Sequence, residues 1–304
     1  MIQKPTVLIL GAGSSTHLGY PLGLQLLNQV CRRLTHVCNH FKDYEKTLPY
    51  STEQMVKYRR ILSRAGYYSV DAFLEENREF LDIGKFFIAD CLKQLEIEDT
   101  LFPPSNSGWY QYLFNKMLTS TVDKIPDNKI TIITFNYDRS LECYLHQAIT
   151  HRFQIPVEKS LDILRQINII HPHGILGNYP EVPYSNELHG ISMEKISNRI
   201  KIIHEIKDSK EDFCSTEFRD SNRALCESEK IYFLGFGFHE DNIRRFKYFS
   251  NDSLKDKEVT ATIYRVVESD IKDLISRMSE YGFSRKNFQD TSCLGLFQQG
   301  CVLE

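Results

Sequence analysis

Five short runs of mostly branched apolar residues, separated from one another by helical segments, constrain the fold more than any other feature of the sequence. Each run is apolar nearly throughout, as expected for a strand that is buried on both faces of a sheet. Strands that alternate with helices favour a parallel sheet. We therefore predict an α/β fold with a Rossmann-like parallel sheet and helices on both faces. The predicted strands are Thr6–Leu10, Lys129–Phe135, Ile167–His171, Lys230–Leu234 and Val259–Val266.

The long segment between the first two predicted strands contains only helical patterns. Residues from about 40 to 120 show no strand signal, so we predict an inserted helical subdomain within one domain that spans residues 1–304. The predicted helices are Pro21–Leu34, Gln54–Ala65, Val70–Leu95, Trp109–Ser120, Arg139–Thr150, Asn186–Lys207 and Asp270–Tyr281, with another beginning near Glu240.

Composition excludes several classes of function. The formal net charge of −3 gives no support for direct nucleic-acid binding, which needs clustered positive charge. No apolar run approaches the ~18 residues of a membrane span, and the first residues lack a secretion signal. None of the eight cysteines forms a Cys-x-x-Cys pair, which favours reduced thiols. We expect a cytoplasmic protein without a membrane segment.

The loop after the first predicted strand is rich in small residues, with the sequence GAGSS from Gly11. Such a loop lets backbone N–H groups approach phosphate oxygens at the start of a helix. The dinucleotide fingerprint of dehydrogenases would need a third glycine where Thr16 stands, and an acid about where Arg33 lies. The loop therefore predicts nucleotide binding of another kind, or else a plain turn between strand and helix.

Three further loops with polar or glycine residues follow later predicted strands. Asn136 and Asp138 follow the second strand, although Asp138 alternatively caps the next helix. His171 and His173 follow the third strand, and they suit a positioned base or a buried hydrogen-bonded pair. A second glycine loop, with Gly235 and Gly237, follows the fourth strand. Ligands bind beyond the carboxyl ends of parallel strands, so we expect these loops to meet at one site.

Together these motifs resemble the sirtuin-like family. The family's first motif matches Gly11, Ala12, Gly13, Ser15, Gly19 and Pro21, with Tyr20 in place of the usual isoleucine. Its Asn-x-Asp signature matches Asn136 and Asp138, and its His-Gly motif matches His173 and Gly174. Its late Gly-x-Ser loop is similar to Gly235–Gly237, with Gly237 where the serine usually stands.

The chain also departs from the sirtuins that deacylate proteins. Those enzymes have two Cys-x-x-Cys pairs on a zinc ribbon, whereas the same interval here contains only Cys214 and Cys226. Two cysteines cannot complete a tetrahedral zinc site. The family's Asp-Phe-Arg is also absent, with Leu22 and Gly23 in its place. The remaining pattern resembles the bacterial sirtuin-like NAD hydrolases of antiphage defence.

The resemblance implies that NAD is the substrate, without a metal, and that it is cleaved to nicotinamide and ADP-ribose. It implies that Asn136 orients the ribose or the attacking water, that His173 is the general base, and that Asp138 holds the nicotinamide side or supports the local hydrogen bonds. The implied NAD-binding positions are Gly11, Ala12, Gly13, Ser15, Gly19, Asp138, Gly235 and Gly237.

Other functions remain open at this point. A sensor would bind NAD or ADP-ribose without cleaving it, and a deacylase would transfer an acyl group to ADP-ribose. An ordinary Rossmann oxidoreductase fits the first loop poorly. The motifs leave only about 60 residues after the last of them, so we expect control by a homo-oligomer or by a second protein. The family resemblance favours a HerA-like ATPase, with a short Argonaute as an alternative.

Overall fold

The computed structural model describes residues 1–44, 48–103, 108–202, 215–246, 248–250, 252–299 and 303. The described part contains a six-stranded sheet in which all pairings are parallel, in the order β3-β2-β1-β4-β5-β6. The predicted Rossmann-like α/β fold is thus confirmed. The strands are β1 Thr6–Leu10, β2 Ile130–Thr134, β3 Asn168–Ile170, β4 Lys230–Leu234, β5 Glu258–Thr262 and β6 Phe288–Gln289.

The strand order places a crevice beside β1. The chain runs from β1 outward to β3 on one side and then returns to build β4 to β6 on the other side. Leu10, the last residue of β1, pairs in register with Thr134 and Leu234, the last residues of β2 and β4. Loops that leave β1 and β4 therefore diverge at a topological switch point, where open α/β sheets bind ligands.

Helices surround the sheet in the described residues. They are α1 Gly23–Asn39, α2 Phe41–Tyr44, α3 Thr52–Leu62, α4 Val70–Glu76, α5 Leu81–Lys93, α6 Trp109–Met117, α7 Ser140–Phe153, α8 Val157–Leu164, α9 Met193–Ser197, α10 Thr216–Glu227, α11 Glu240–Arg245, α12 Glu268–Met278 and α13 Cys293–Gln298. Every one of these helices is too short or too polar to cross a bilayer.

Alternate residues of the strands enter two separate hydrophobic clusters, because successive strand side chains point to opposite faces. Leu8 and Leu10 belong to the larger cluster, together with apolar residues of α1 and of the helices between residues 52 and 117. Val7 and Ile9 belong to the second cluster, which includes many phenylalanines from the carboxyl-terminal half of the chain. The helical segment therefore packs on one face of the sheet. Its description as an insertion within a single domain stays a prediction.

Several helical boundaries differ from those expected. The predicted helix Val70–Leu95 is two helices, α4 and α5, because Asn77 leaves the helical conformation. The Asn77 side chain donates a hydrogen bond to the Phe73 carbonyl at 2.9 Å, in competition with the helical backbone. Within the predicted helix Asn186–Lys207, only α9 is helical among the described residues, and 203–207 lie outside them. The elements α8, α10, α13 and β6 were not predicted.

Candidate active site

The loops after β1, β2 and β4 are joined directly by backbone hydrogen bonds. Gly11 N–H donates to the Leu234 carbonyl at 3.1 Å, and Gly13 N–H donates to the Gly235 carbonyl at 2.9 Å. On the other side, Phe135 N–H donates to the Leu10 carbonyl at 2.9 Å. The first loop is therefore held between its two neighbours at the switch point.

Glycines make this close approach between the two glycine loops sterically feasible. A Cβ on Gly235 would lie 2.1 Å from the backbone nitrogen of Ser14, and the φ of Gly235 is +57°. A Cβ on Gly13 would lie 2.7 Å from the Cα of Gly235. A Cβ on Gly237 would instead meet only the His239 ring, at 3.3 Å. Packing therefore explains Gly13 and Gly235 without a ligand, whereas Gly237 is exposed.

The remaining positions of the first loop have different surroundings. Ala12 is exposed, and Gly11 is buried against the loop after β4. Gly19 has a φ of +86° at the end of the 3-10 turn Ala12–Leu18, and a Cβ added there would meet no atom of the described residues within 4 Å. Gly19 therefore fits the left-handed conformation that closes the turn.

A cleft of about 590 Å³ lies beside these two packed glycine loops. One wall contains Gly13, Ser14 and Gly237, and the facing wall contains residues 262–266 after β5 and one side of α12. This volume is within the usual range for a small-molecule site. A cavity of about 610 Å³ lies at the opposite, amino-terminal end of the strands. The cleft at the carboxyl ends is the better candidate, since parallel α/β sheets bind ligands there.

Beneath the cleft, Asn136 and Asp138 join the first loop in a buried hydrogen-bond network. The Asn136 side-chain amide donates to the hydroxyls of Ser14 and Ser15, both at 3.1 Å. Ser15 donates in turn to Asp138 Oδ2 at 3.0 Å, and Ser14 donates to the Gly11 carbonyl at 2.8 Å. Ser14 lines the cleft, so the network reaches the cleft surface through this serine.

Asp138 has a second set of partners at the start of α7. Its Oδ1 accepts from the Ser140 backbone N–H at 3.1 Å and also from the Ser140 hydroxyl. The Tyr110 hydroxyl of α6 contacts Ser140 Oγ at 2.7 Å. Burial raises the pKa of Asp138, although hydrogen bonds from Ser140 and Ser15 oppose this. Asp138 therefore stabilises the helix start, as its alternative role predicted, and also binds the first loop.

His173 is 7% exposed, and its Nε2 has no hydrogen-bond partner among the described residues. Its ring contacts that of Phe135, with 5.0 Å between the centroids, and that of Phe218 at 6.4 Å. Burial, and then the positive charge of Arg245, lowers the pKa of His173 to about 3. The ring is therefore neutral near pH 7, and its surroundings in this structure oppose protonation.

His171 lies two residues earlier in a different environment. Its Nε2 is 2.6 Å from Glu142 Oε1, and its Nδ1 is 3.3 Å from the Asn136 carbonyl oxygen. Burial opposes protonation of the ring, but the Glu142 charge and hydrogen bond outweigh it, so the pKa of His171 is raised. The pKa values of the two histidines in the loop after β3 are thus shifted in opposite directions.

The structure brings most of the predicted site residues together, but some of them are buried away from the cleft. Asn136, Asp138 and His173 are at most 9% exposed and do not line the cleft. His171 connects the loop after β3 to Asn136 and so to the serine network. A ligand in the cleft would therefore meet Ser14 first, with the Asn136 amide directly below it.

Sequence reasoning did not identify several residues that support the site. Trp109 of α6 donates from Nε1 to the Ser14 carbonyl at 2.8 Å and also lines the cleft. Tyr137 donates to the Asp71 carboxylate of α4. Glu142 pairs with His171. These contacts come from distant parts of the chain, so motif spacing gives no signal for them.

Metal binding has little support in the described ranges. No group of three or more His, Cys, Asp or Glu side chains there is arranged to hold a metal ion. Cys214 lies outside the described residues, and Cys226 is exposed.

Comparison with known proteins gives one match. A family model described as SIR2-like domain matches residues 130–284, about half of the chain. The matched range begins at β2 and ends after α12, so it contains Asn136, His173 and Gly235. A search of curated proteins found no match. The first glycine loop lies outside the matched range, but its hydrogen bonds to Asn136 and Gly235 join it to that range.

Proposed function

Because the chain belongs to the SIR2-like domain family, whose members act on NAD, we propose that it is an NAD⁺ hydrolase that produces nicotinamide and ADP-ribose. In this proposal the 590 Å³ cleft holds the substrate. Gly13, Gly235 and Gly237 line the cleft, and Gly11, Ala12 and Ser15 belong to the same loop as Gly13 without lining the cleft themselves. In this proposal that loop holds the diphosphate. Gly19 shapes the turn that ends this loop.

The observation that supports this proposal most directly is the state of His173. A buried polar atom without a partner costs free energy, commonly about 1–3 kcal/mol, so a folded protein rarely keeps one without a use. The unpartnered Nε2 belongs to a neutral imidazole that is free to form a hydrogen bond. Because burial and Arg245 lower its pKa, action as a base requires the bound substrate to favour the protonated ring. A bound substrate or its attacking water would supply the missing hydrogen bond.

The proposed reaction breaks the bond between the nicotinamide nitrogen and C1′ of the ribose. Nicotinamide leaves with the bonding electron pair as a neutral base, and the ribose carbon develops oxocarbenium character. A water oxygen then bonds to C1′ while its proton passes to His173 Nε2 and later to solvent. General-base assistance of this kind is worth about 10²- to 10⁴-fold in rate. NAD⁺ and water thus give nicotinamide, ADP-ribose and one proton.

Asn136 and Asp138 have supporting parts in this scheme. Asn136 orients the ribose or the attacking water, and its side chain already makes hydrogen bonds to Ser14 and Ser15 at the cleft floor. Asp138 faces the nicotinamide side. Its contacts to Ser15 and Ser140 fix the carboxyl group below the cleft, so it takes that part only when the cleft deepens toward it.

A non-catalytic sensor is the second candidate, and one observation favours it. His173 and Asn136 do not line the cleft in this conformation, so NAD would bind in the cleft without meeting the proposed base. Hydrolysis requires the cleft to deepen toward Asn136, whereas a sensor requires no such opening.

We further propose that the protein acts in the cytoplasm as an antiphage effector that depletes NAD⁺. Such an activity must be silent at rest, which favours control by homo-oligomer assembly or by a partner in trans. A HerA-like ATPase is the favoured partner, and a short Argonaute is the alternative.

Product analysis separates these functions. The purified chain, alone and with its genomic neighbour, is mixed with NAD⁺, and nicotinamide and ADP-ribose are quantified by chromatography. A hydrolase releases both in equal amounts, and Asn136→Ala abolishes the release while the variant stays folded. A sensor binds NAD⁺ in calorimetry without releasing nicotinamide. Acetyl-ADP-ribose formed only with an acetylated peptide would identify a deacylase, and full turnover by Asn136→Ala would contradict the site assignment.

A further inference from the structure

The buried pair His171 and Glu142 lies beside Asn136 without belonging to any motif that defined the site. Resting on the hydrolase function proposed above, we propose that His171 and Glu142 are positioning residues that fix Asn136 through its backbone carbonyl. Neither residue touches the substrate in this account. Their effect on the reaction passes through the geometry of Asn136.

Hydrogen bonding at the two ring nitrogens defines the charge of His171. Nε2 faces Glu142 Oε1 at 2.6 Å, and Nδ1 faces the Asn136 carbonyl oxygen at 3.3 Å. A carboxylate and a carbonyl only accept hydrogen bonds, so both ring nitrogens must donate. A neutral imidazole has one N–H, whereas the imidazolium ion has two. The arrangement is therefore complete only when His171 is positively charged.

The surroundings of His171 support the charged form. The side chains of His171 and Glu142 are each 12% exposed, so their attraction is weakly screened by water. Glu142 of α7 is the larger charged neighbour, and Asp138, in the loop before α7, adds to its effect. Both negative charges raise the pKa of His171 against the opposing effect of burial.

Asn136 is held at three points, and His171 supplies one of them. Its backbone N–H donates to Thr134 Oγ1 at 3.2 Å, and its side-chain amide donates to the hydroxyls of Ser14 and Ser15. The carbonyl contact with His171 is the third. Glu142 lies in the first turn of α7, so the helix fixes its position. Glu142 then holds His171, and His171 holds the Asn136 carbonyl. Misplacement of a reacting group by about 1 Å can cost on the order of 100-fold in rate.

Two nearly matched variants separate positioning from simple packing. In His171→Asn, the side-chain amide lies near the Nδ1 position and keeps a donor for the Asn136 carbonyl. In His171→Gln, the longer amide reaches toward Glu142 and loses that donor. We expect His171→Gln to lower kcat for nicotinamide release on the order of 10- to 100-fold with little change in KM. His171→Asn should retain most of the activity, and equal activity of the two variants, whether high or low, would overturn the proposal.

The pH profile provides a readout that packing alone would not change. Since the folded pKa of His171 is raised, the charged form persists below that pKa and is lost as the pH rises through it. Glu142→Gln removes the carboxylate charge, so the alkaline fall in kcat should move to lower pH. If the alkaline fall in kcat stays at the wild-type pH in Glu142→Gln, the proposed role of the His171–Glu142 pair is wrong. Asp162→Asn, in an exposed ion pair with Arg165, serves as the control and should leave the profile unchanged.

NMR of the whole protein labelled with ¹⁵N-histidine tests the pair without relying on turnover. At pH 7, His171 should show two protonated ring nitrogens, and Glu142→Gln should make the ring neutral at a lower pH. If His171 is charged as expected but the protein releases no nicotinamide, the hydrolase proposal fails and the hydrogen-bonded pair stands. If nicotinamide is released while His171 is neutral at pH 7, the proposed positioning role of His171 and Glu142 is contradicted, and the hydrolase proposal is supported.

Discussion

Two buried polar regions of this protein differ in how their hydrogen bonds are satisfied. The first is the ion cluster formed by Lys93, Glu96 and Arg139, each at most 2% exposed. The second is the candidate site around His173, which follows β3. Both regions are removed from water, so burial alone does not distinguish a structural group from a functional one.

In the ion cluster, every charge meets an opposite charge or a backbone carbonyl. Glu96 accepts from Arg139 Nε at 3.0 Å and from Lys93 Nζ at 2.6 Å. Lys93 also donates to the Pro183 carbonyl at 2.8 Å, and Arg139 donates to Val182 and Pro183. These contacts join α5, α7 and the residues near 183. Such a region stabilises one arrangement of the chain and offers no group to a ligand.

The candidate site is completed differently. Asn136 and Asp138 have protein partners, yet His173 Nε2 lacks one among the described residues. His173 is not alone in this, since Tyr58, His146 and Asn242 also have a buried side-chain atom without a partner among the described residues. An unpartnered buried atom therefore identifies a candidate contact for a ligand and not a site by itself. Three predictions use this difference to separate the two regions, and they follow from the largest expected effect to the smallest.

Removing the central carboxylate of the ion cluster should have the largest effect on stability. Glu96→Ala leaves Lys93 and Arg139 buried without their counter-charge, which typically costs about 3–5 kcal/mol. Chemical denaturation of wild type and variant measures this difference. Asp162→Ala breaks an exposed ion pair with Arg165 and should cost less than about 1 kcal/mol. If the two variants lose equal amounts of stability, the buried ion cluster contributes no more to stability than an exposed ion pair, and its structural role is contradicted.

The two glycines of the loop after β4 extend the comparison to backbone packing. Gly235→Ala places a methyl group 2.1 Å from Ser14 N at a φ of +57°, so we expect a loss of at least about 1–3 kcal/mol in stability. Gly237→Ala meets only the His239 ring and should keep wild-type stability. Thermal unfolding tests the first expectation, and the KM for NAD⁺ tests whether Gly237 borders the bound ligand. A stable Gly235→Ala variant would show that the loop packing described above is not needed.

The neutral state of His173 should appear in the pH dependence of stability. Its pKa falls from the ordinary 6.5 to about 3 on folding, so the unfolded chain binds more protons between these values. Stability should therefore decrease as the pH falls below 6.5, by about 1.4 kcal/mol at pH 5.5. In His173→Gln this contribution disappears, and urea denaturation at pH 7 and 5.5 measures it. An unchanged pH dependence in the variant would show that His173 is not held neutral by burial.

The sequence predicted the sheet because strands buried on both faces are apolar throughout. It also placed Asn136 and Asp138 after β2 and His173 after β3, because each motif directly follows an apolar run that is typical of a strand. It did not predict α8 or α10, although both are amphipathic, or β6, which has only two residues. The divided helix at Asn77 depends on one side-chain hydrogen bond that helical periodicity does not reveal.

The charges of the two histidines also could not be read from the sequence. His171 and His173 stand in one short motif, His-Pro-His-Gly, with nothing local to distinguish them. Their difference arises from Glu142 on α7 and from Phe135, Phe218 and Arg245, which reach the same loop from other elements. Tertiary structure therefore gives His171 two hydrogen-bond partners and leaves Nε2 of His173 without one among the described residues.

The most direct test of this account is His173→Gln, measured for both nicotinamide release and unfolding free energy at pH 7. Glutamine is similar in size but cannot serve as a base near neutral pH. We predict that release of nicotinamide from NAD⁺ falls by about 10²- to 10⁴-fold, while denaturation shows that the variant is still folded under the conditions of the assay. Nicotinamide release at the wild-type rate, or a loss of release explained by unfolding, would contradict the account.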